Sequence, residues 1–279
     1  MSAIDQGVVI VTGASAGIGE ALARQLASRA KTLILVARRR DRLEALASQL
    51  TAAHRNLEVA ICECDLVDGA SRERMIADIE TRHGPVDVLI NNAGVGDMSL
   101  FELTEWKKLD MMIALNVTAL THLTHHFVRG MITRKRGGIV NISSGFGLVA
   151  MPGFSAYCAS KHYVAALTEG LAMELRGTGV TVTQVCPGPV ATEFVHHIGD
   201  NFMEQDAPSI IQISAEQCAR SSIAAFDRSS VLTIPGFVAA FLTYWGAALP
   251  RWVRRLVFTL AVPILRKKQL AMQASKSST

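Results

Sequence analysis

The chain has 279 residues, of which 49% are hydrophobic and 19% charged, so one large buried core is within reach. Its N-terminus lacks a basic stretch followed by a long apolar run, which argues against a secretory signal. The five cysteines are scattered, and this pattern predicts reduced thiols in a cytoplasmic protein. Cys62 and Cys64 are separated by one residue with no second pair nearby, so they indicate a buried strand rather than a metal site. We expect no nucleic acid partner.

Charge is distributed unevenly along the chain. The net charge is +4, yet the segment from Arg228 onward holds eight basic residues and no acidic one. Removing these eight from the 28 basic residues leaves residues 1–227 with 20 basic and 24 acidic side chains, a net charge of −4. Such asymmetry indicates an appended segment with its own partner.

Apolar runs alternate with helical patterns through most of the chain. The runs predict six buried strands, at 7–13, 31–38, 57–66, 86–94, 137–144 and 180–188, and a seventh strand is expected to start near 231. The helical patterns predict helices at 18–30, 40–54, 70–83, 105–134, 155–176 and 214–226. This alternation predicts an α/β, Rossmann-like doubly wound parallel sheet of about seven strands, with helices on both faces.

Residues 189–213 are weakly periodic and predict a mobile loop, which the family resemblance given below places beside the substrate. Ser214 and Gln217 then form a capping box that should start the last regular helix of the domain. We therefore expect a catalytic domain over 1–230, and a last strand with an apolar and basic helical extension over 231–279.

The first strand runs directly into "TGASAGIG", residues 12–19. Its glycines, Gly13, Gly17 and Gly19, stand where a strand turns into a helix. There the backbone turns tightly, and the helix N-terminus offers N–H groups and positive potential to a diphosphate. A mere tight turn is the alternative, but this strand-to-helix context is the one that a dinucleotide motif requires.

The end of the second strand bears on the choice of cofactor. An NAD site typically has a carboxylate here that binds the ribose 2′-hydroxyl, whereas an NADP site has a cation that binds the 2′-phosphate. This strand ends at the small Ala37, and Arg38 follows at once. We therefore expect NADP(H), with Arg38 at the 2′-phosphate, and we place Arg39 and Arg40 on the solvated surface.

In "YCASK", residues 157–161, a phenol and an ammonium lie four residues apart. On a helix, Tyr157 and Lys161 share a face. A neighbouring cation favours the phenolate and would bring the phenol pKa from ~10 toward neutral. A surface pair that serves packing and solubility is the alternative.

Several motifs appear together in a specific order. Residues 12–192 resemble the short-chain dehydrogenase/reductase family, of the ordinary non-extended type. The motifs are "TGASAGIG" (12–19), "CDL" (64–66), "NNAG" (91–94), "LNV" (115–117), "IVNISS" (139–144), "YCASK" (157–161) and "CPGPVATEF" (186–194). The final fifty or so residues match no part of the family core.

The resemblance implies a catalytic role for four side chains. Tyr157 would be the acid in reduction and the base in oxidation, and Lys161 would hold the nicotinamide ribose and favour the tyrosinate. Ser144 would bind the substrate carbonyl oxygen, whereas Ser143 would be structural. The backbone of Asn116 would help to hold a water on the proton relay to Lys161.

The resemblance also implies which residues bind the cofactor. Asp65 would contact the adenine, and residues 92–94 the adenine ribose side. Residues 187–192 would close over the nicotinamide carboxamide. The complete expected set is Gly13, Ser15, Gly17, Ile18, Gly19, Arg38, Asp65, Leu66, Asn92, Ala93, Gly94, Tyr157, Lys161, Pro187, Gly188, Val190 and Thr192.

Apolar residues predominate around the expected substrate position. They are Phe146, Leu148, Val149, Met151, Phe154, Phe194, Val195, Phe202 and Met203. Such a lining predicts a hydrophobic ketone or secondary alcohol, for example a lipid, fatty-acyl or steroid-like compound. The leading hypothesis is an NADP(H)-dependent oxidoreductase in lipid metabolism. The alternative is a non-catalytic NADP(H)-binding regulatory or membrane-scaffold protein of the same fold.

The C-terminal segment allows several interpretations. Residues 231–250 carry no charge, and residues 251–268 are apolar with basic residues and Trp252 at the ends. A pocket cover, a subunit interface, a buried terminal helix and a peripheral contact with an anionic membrane remain open, whereas a membrane span is disfavoured by Pro235, Gly236 and Gly246. The resemblance implies a homodimer or homotetramer.

Overall fold

The computed structural model describes residues 2–192 and 211–276. Within these residues seven parallel strands form one sheet. The strands are β1 (Val8–Thr12), β2 (Thr32–Ala37), β3 (Glu58–Glu63), β4 (Val88–Asn91), β5 (Gly137–Ile142), β6 (Val180–Val185) and β9 (Leu232–Thr233). Their order across the sheet is β3-β2-β1-β4-β5-β6-β9. Two further strands, β7 (Val190–Ala191) and β8 (Ile213–Ser214), pair with each other in parallel.

Helices connect and cover the strands. They are α1 (Gly17–Leu26), α2 (Arg40–Ala53), α3 (Gly69–His83), α4 (Trp106–Ile113), α5 (Leu120–Thr133), α6 (Ser155–Glu174), α7 (Ala215–Asp227), α8 (Phe237–Ala248) and α9 (Arg251–Lys276). Short 3₁₀ turns stand at Phe101–Leu103 and Gly145–Gly147, and a π-helical segment, Ala114–Ala119, joins α4 to α5.

The sheet separates two hydrophobic cores. Val9 and Val11 of β1 face the core that includes Leu22 of α1, whereas Ile10 faces the core that includes Ile79 of α3. This alternation follows from the two-residue period of a strand. Because helices cover both faces, β1 and β2 consist almost wholly of buried residues, as is typical of parallel sheets.

The strand order places a crevice between β1 and β4. From β1 the chain proceeds outward to β2 and β3, then crosses back and continues through β4, β5 and β6 on the other side. The connections at the carboxyl ends of β1 and β4 therefore diverge. In open α/β sheets ligands bind at such a switch point.

The predicted doubly wound parallel sheet with helices on both faces is confirmed. Most strands end earlier than predicted: β4 stops at Asn91 rather than at residue 94, because the next residues turn to contact the end of β1. The seventh strand has only two residues. The helix expected over 105–134 contains the π-helical segment.

The expected substrate loop is described only at its two ends, where β7 and β8 lie. The predicted lining residues Phe194, Val195, Phe202 and Met203 fall outside the described residues. The predicted cap of the next helix is present, since the Gln217 backbone N–H donates to Ser214 Oγ at 3.1 Å.

The C-terminal extension consists of two helices, α8 and α9. Among the described residues, no helix combines the length and the apolar character needed to cross a bilayer.

Candidate active site

The four predicted catalytic residues are close together at the carboxyl edge of the sheet. Ser144 follows β5, Tyr157 and Lys161 lie in the first turns of α6, and Asn116 lies in the π-helical segment. All four are buried, with at most 9% of each residue exposed. A set of polar side chains this deeply buried needs internal partners.

Tyr157 stands beside two aromatic rings and forms a hydrogen bond with Ser144. Its ring lies 6.4 Å from that of Phe146 and 6.3 Å from that of Phe154, between ring centroids. Burial raises the pKa of Tyr157 to about 12, and a hydrogen bond with the Ser144 side chain offsets part of this rise. The phenol is therefore held in its protonated form.

This direction contradicts the expectation that Lys161 brings the phenol pKa toward neutral. Lys161 Nζ lies 5.8 Å from the centroid of the Tyr157 ring and donates to the Ile142 carbonyl at 3.0 Å. Burial also acts on Lys161 itself and lowers its pKa to about 8. Desolvation disfavours the charged form of both groups, and it is the largest cause of both shifts.

The two serines that follow β5 have different partners. Ser144 Oγ accepts from the Phe146 backbone N–H at 3.2 Å, and the residue caps the following 3₁₀ turn. Ser143 Oγ donates to the Lys161 carbonyl at 3.0 Å and so ties β5 to α6. Ser144 thus faces Tyr157, and Ser143 has the structural contact predicted for it.

Asn116 binds the loop that follows β4 to the catalytic helix. Its Oδ1 accepts from the Val95 N–H at 2.9 Å, and its Nδ2 donates to the Val95 carbonyl at 2.8 Å and to Ser160 Oγ at 3.1 Å. A Cβ built on Gly94 would lie 3.2 Å from Asn116 Oδ1 and 3.4 Å from Lys161 Nζ. The π-helical segment that carries Asn116 fits this position, because single π-helical turns in α-helices are frequent at functional sites.

The glycine turn has the geometry that close approach of a phosphate requires. Gly13 and Gly17 have φ values of +66° and +57°. A Cβ on Gly19 would overlap the Gly13 carbonyl oxygen. The N-cap residue of α1 is Ala16, whose side chain makes no capping hydrogen bond, so this helix N-terminus suits a diphosphate. Ser15 and the half-buried Ile18 complete the turn.

The tight packing of Gly19 leads to a prediction. Gly19→Ala should destabilise the protein by about 1–3 kcal/mol, because the added methyl group meets backbone atoms that have little room to move. The dinucleotide should also bind more weakly, since the turn must shift. Gly170→Ala is the matched control: it lies within α6 with nothing within 4 Å of an added Cβ. Its free energy of unfolding should rise by about 1 kcal/mol. Denaturant titrations measure both free energies of unfolding, and an equal change in the Gly19→Ala and Gly170→Ala variants would contradict this account.

Thr12 connects the end of β1 with the residues that end and follow β4, a role that was not predicted from the sequence. Thr12 Oγ1 donates to the Ile90 carbonyl at 3.1 Å and accepts from the N–H groups of Asn92 at 2.9 Å and Ala93 at 3.0 Å. Asn92 Nδ2 in turn donates to the Thr12 carbonyl at 2.9 Å. The sequence signal for this set of hydrogen bonds is a hydroxyl-bearing residue immediately before Gly13.

The arginines after β2 lie differently from the prediction. Arg39 extends over the glycine turn, where its Nη2 and Nε donate to Ser15 Oγ at 3.0 and 3.2 Å. The surface location predicted for Arg39 is therefore wrong. Arg38 is exposed at the end of β2, and Arg40 pairs with Glu44 at 2.7 Å on the surface, as expected. The cause is local: Arg39 is the N-cap residue of α2, and α2 starts beside Ser15.

Asp65 and Leu66 follow β3, at the same edge of the sheet. Asp65 is exposed, and its Oδ1 accepts from the Val67 N–H at 3.0 Å. Leu66 is buried, and its carbonyl accepts from the largely buried Arg72. These contacts hold the carboxylate of Asp65 at the rim, beyond the end of β2.

The segment that follows β6 runs along the carboxyl edge of the sheet, from the loop after Ser144 to the glycine turn. The Pro187 carbonyl accepts from the Gly145 N–H at 2.9 Å. At the other end, the Thr192 side chain would lie 3.0 Å from a Cβ on Gly17. Gly188 and Val190 connect these two contacts, and Val190 pairs with Ile213 in the small second sheet.

The C-terminal helices contact the apolar side of the site. Phe146 and Phe154 stack with centroids 4.9 Å apart, and Met151 packs beside them. Thr243 of α8 would lie 3.2 Å from a Cβ on Gly145, and Leu265 of α9 would lie 3.1 Å from a Cβ on Gly153. The extension therefore contacts both loops that flank Ser144 and Tyr157.

Known proteins are similar to this chain in sequence and in fold. The family model described as short chain dehydrogenase matches residues 7–220. An oxidoreductase of Staphylococcus saprophyticus is 33% identical over 85% of this chain and 97% of its own length. The putative ketoacyl reductase 1 of granaticin polyketide synthase from Streptomyces violaceoruber is 36% identical over 75% of each chain.

A solved structure agrees with these sequence matches. The short-chain dehydrogenase from Sphingobium yanoikuyae, in complex with NADPH, superposes with a TM-score of 0.78 at 31% identity, over 86% of this chain and 93% of the other. The sheet order, the glycine turn and the buried serine, tyrosine and lysine are thus accompanied by a family match over most of the sequence. The chain belongs to the short-chain dehydrogenase family.

Proposed function

We propose that this protein is an NADP(H)-dependent oxidoreductase that interconverts a hydrophobic ketone and its secondary alcohol. The observation that carries the proposal is the buried hydrogen bond between Ser144 and Tyr157, with Lys161 and the glycine turn at the same edge of the sheet. The similarity to a putative ketoacyl reductase and to an NADPH-bound dehydrogenase supports the same reaction class.

The proposed chemistry follows from two adjacent hydroxyl groups. Ser144 donates a hydrogen bond to the substrate carbonyl oxygen, and Tyr157 transfers a proton to that oxygen during reduction. The bound nicotinamide supplies the hydride. Because the pKa of Tyr157 is about 12, the phenol remains protonated at neutral pH and is ready to act as an acid. Oxidation needs the phenolate, whose fraction increases with pH below this pKa.

Two cations support the proposed choice of NADP(H). Arg38 stands at the end of β2, where a 2′-phosphate would lie, and Arg39 reaches the glycine turn through Ser15. An acidic side chain at position 37 or 38 would favour NAD instead, and the chain has Ala37 and Arg38 there.

The cofactor preference can be tested by fluorescence titration of NADPH and NADH. Arg38→Ala should weaken NADPH binding by roughly tenfold or more and should change NADH binding little, because one charge-assisted contact to phosphate is lost. Arg40→Ala is the matched control, since this neighbouring arginine pairs with Glu44 on the surface. An equal loss for both nucleotides would refute the assignment.

The proposed substrate class rests on the apolar surroundings of Tyr157. Phe146, Met151 and Phe154 pack beside the phenol, and α8 and α9 contact the adjoining loops. We expect kcat/KM with NADPH to increase along a series of ketones of growing apolar size. Higher rates with small polar carbonyls would contradict the substrate class, and the absence of turnover across the series would favour a non-catalytic cofactor-binding protein. The expected homodimer or homotetramer remains a prediction.

A further inference from the structure

The helix α9 has apolar side chains on two opposite sides, and within residues 2–192 and 211–276 the body of the protein contacts one of them. The inner side includes Leu265, which packs at Gly153, and Gln269, whose Oε1 accepts from the Leu100 N–H at 2.6 Å. The outer side carries a stripe at four-residue spacing, which keeps the stripe on one face. The stripe consists of Trp252, Leu256, Leu260 and Ile264, with exposures of 70%, 57%, 72% and 75%.

The helix α8 repeats this arrangement. Its inner side meets the active-site loops, with Ala239 against Gly188 and Thr243 against Gly145. Its outer side carries an aromatic stripe, again at four-residue spacing. This stripe consists of Phe237, Phe241 and Trp245, with exposures of 86%, 52% and 61%. We call the two stripes together the outer face of α8 and α9. Large exposed apolar patches mark interaction surfaces.

Basic residues flank the outer face, and acidic residues are absent from this part of the sequence. At about 100° per residue, Arg255 and Arg266 lie on one flank of the α9 stripe, and Arg254 and Lys268 on the other. Arg266 pairs with Glu102 of the body at 2.5 Å. From residue 228 to 279 the sequence has eight basic and no acidic residues. The face therefore combines apolar and aromatic side chains with a positive border.

We propose that the outer face of α8 and α9 binds peripherally to an anionic lipid surface. An in-plane helix with apolar and aromatic residues on one side and Lys and Arg along its borders has the physical properties for this role. A second copy of the chain is a poorer partner, because a twofold contact would bring two positive borders together. Anionic phospholipid headgroups complement that charge.

Binding in this orientation would place the substrate side of the protein at the lipid. The inner sides of the same two helices contact Gly145, Gly153 and Gly188, which adjoin Ser144 and Tyr157. A lipophilic ketone dissolved in the bilayer would then be close to the site; this consequence alone rests on the proposed function. Lipid binding itself requires neither substrate nor turnover.

Sedimentation with vesicles tests the proposal independently of activity. The full chain should bind vesicles of phosphatidylglycerol and phosphatidylcholine and bind pure phosphatidylcholine several-fold more weakly. The double variant Trp252→Ser/Leu260→Ser should lower the partition coefficient on anionic vesicles by at least roughly tenfold, because two large side chains no longer enter the interface. Trp106→Ser is the matched control, since Trp106 of α4 is exposed to 72% and lies outside the face. It should bind as the wild type does.

A charge-reversal pair tests the electrostatic part. Arg255→Glu/Lys267→Glu, the second at an exposed position one turn beyond Ile264, should weaken binding to anionic vesicles by roughly tenfold or more. The control, Lys31→Glu/Arg55→Glu, makes the same change in net charge at exposed positions elsewhere and should have little effect. Unchanged melting curves exclude unfolding as the cause of a loss.

Three results would overturn the proposal. The first is failure of the wild type to bind anionic vesicles. The second is an equal loss in the face variants and their controls. The third is a variant at Trp252 and Leu260 that converts a dimer into a monomer by ultracentrifugation while vesicle binding is unchanged, which would assign the face to a second copy.

Discussion

Replacing Tyr157 by phenylalanine should lower the rate of carbonyl reduction by roughly 10²–10⁴-fold, the range that a positioned general acid contributes. The ring remains, and so do its contacts with Phe146 and Phe154, so the apolar surroundings are preserved. The proton donor and the hydrogen bond to Ser144 are lost. The affinity for NADPH should therefore remain near that of the wild type.

The measurement is the single-turnover rate of NADPH oxidation at saturating ketone, together with a fluorescence titration of NADPH. Tyr163→Phe is the matched control, because Tyr163 lies on the same helix but is exposed to 40% and only pairs with Thr121 at 3.0 Å. The control should retain its rate. A Tyr157→Phe variant with a rate close to that of the wild type would remove the phenol from the chemistry.

Replacing Lys161 by methionine should separate activity from stability. Turnover should fall by at least roughly a hundredfold, because the ammonium expected to hold the nicotinamide ribose is lost and the reacting groups are no longer positioned. The folded protein should nevertheless become more stable at neutral pH. Burial lowers the pKa of this lysine from 10.5 to about 8, so keeping its ammonium charged in the fold costs about 3 kcal/mol. Loss of the hydrogen bond to the Ile142 carbonyl offsets about 1 kcal/mol of the gain.

The pH dependence of this effect has a definite sign. Between about pH 8 and 10.5 the unfolded chain binds the lysine proton more than the folded chain does, so the wild-type free energy of unfolding receives a contribution that increases with pH. The variant lacks this contribution, and its advantage should shrink across that interval. Denaturant titrations at several pH values measure it. Lys107→Met, at an exposed position of α4, is the control and should show no such trend. A variant less stable than the wild type at pH 7 would contradict the account.

The sheet, and the placement of Tyr157 and Lys161 on one helix face, were predictable because they depend on short-range patterns. A buried parallel strand appears in the sequence as a continuous apolar run, and β1 and β2 show this directly. The four-residue spacing of Tyr157 and Lys161 on a helix already places them on one face. The structure adds that Ser144 and Asn116 approach them from other elements.

Other features depend on long-range packing and could not be predicted from local sequence. The π-helical segment carries Asn116, whose contacts with Val95 and Ser160 join residues far apart in the sequence. The contact of Arg39 with Ser15 requires knowledge of how α2 starts relative to the glycine turn. The raised pKa of Tyr157 depends on burial, which charge spacing alone does not reveal. Likewise, both sides of α9 are apolar in sequence, and only the fold shows which side contacts Gly153.

The central claim is that this edge of the sheet brings a nicotinamide and a carbonyl compound together for reduction. Its most direct test uses NADPH that carries deuterium at both C4 positions of the dihydronicotinamide, so that either face transfers label, with a bulky apolar ketone and the wild-type protein. Mass spectrometry of the product alcohol should find one deuterium on the carbinol carbon, formed in amounts that match the NADPH consumed. Cofactor consumption without label on that carbon, or no alcohol at all with protein that binds NADPH, would contradict the account.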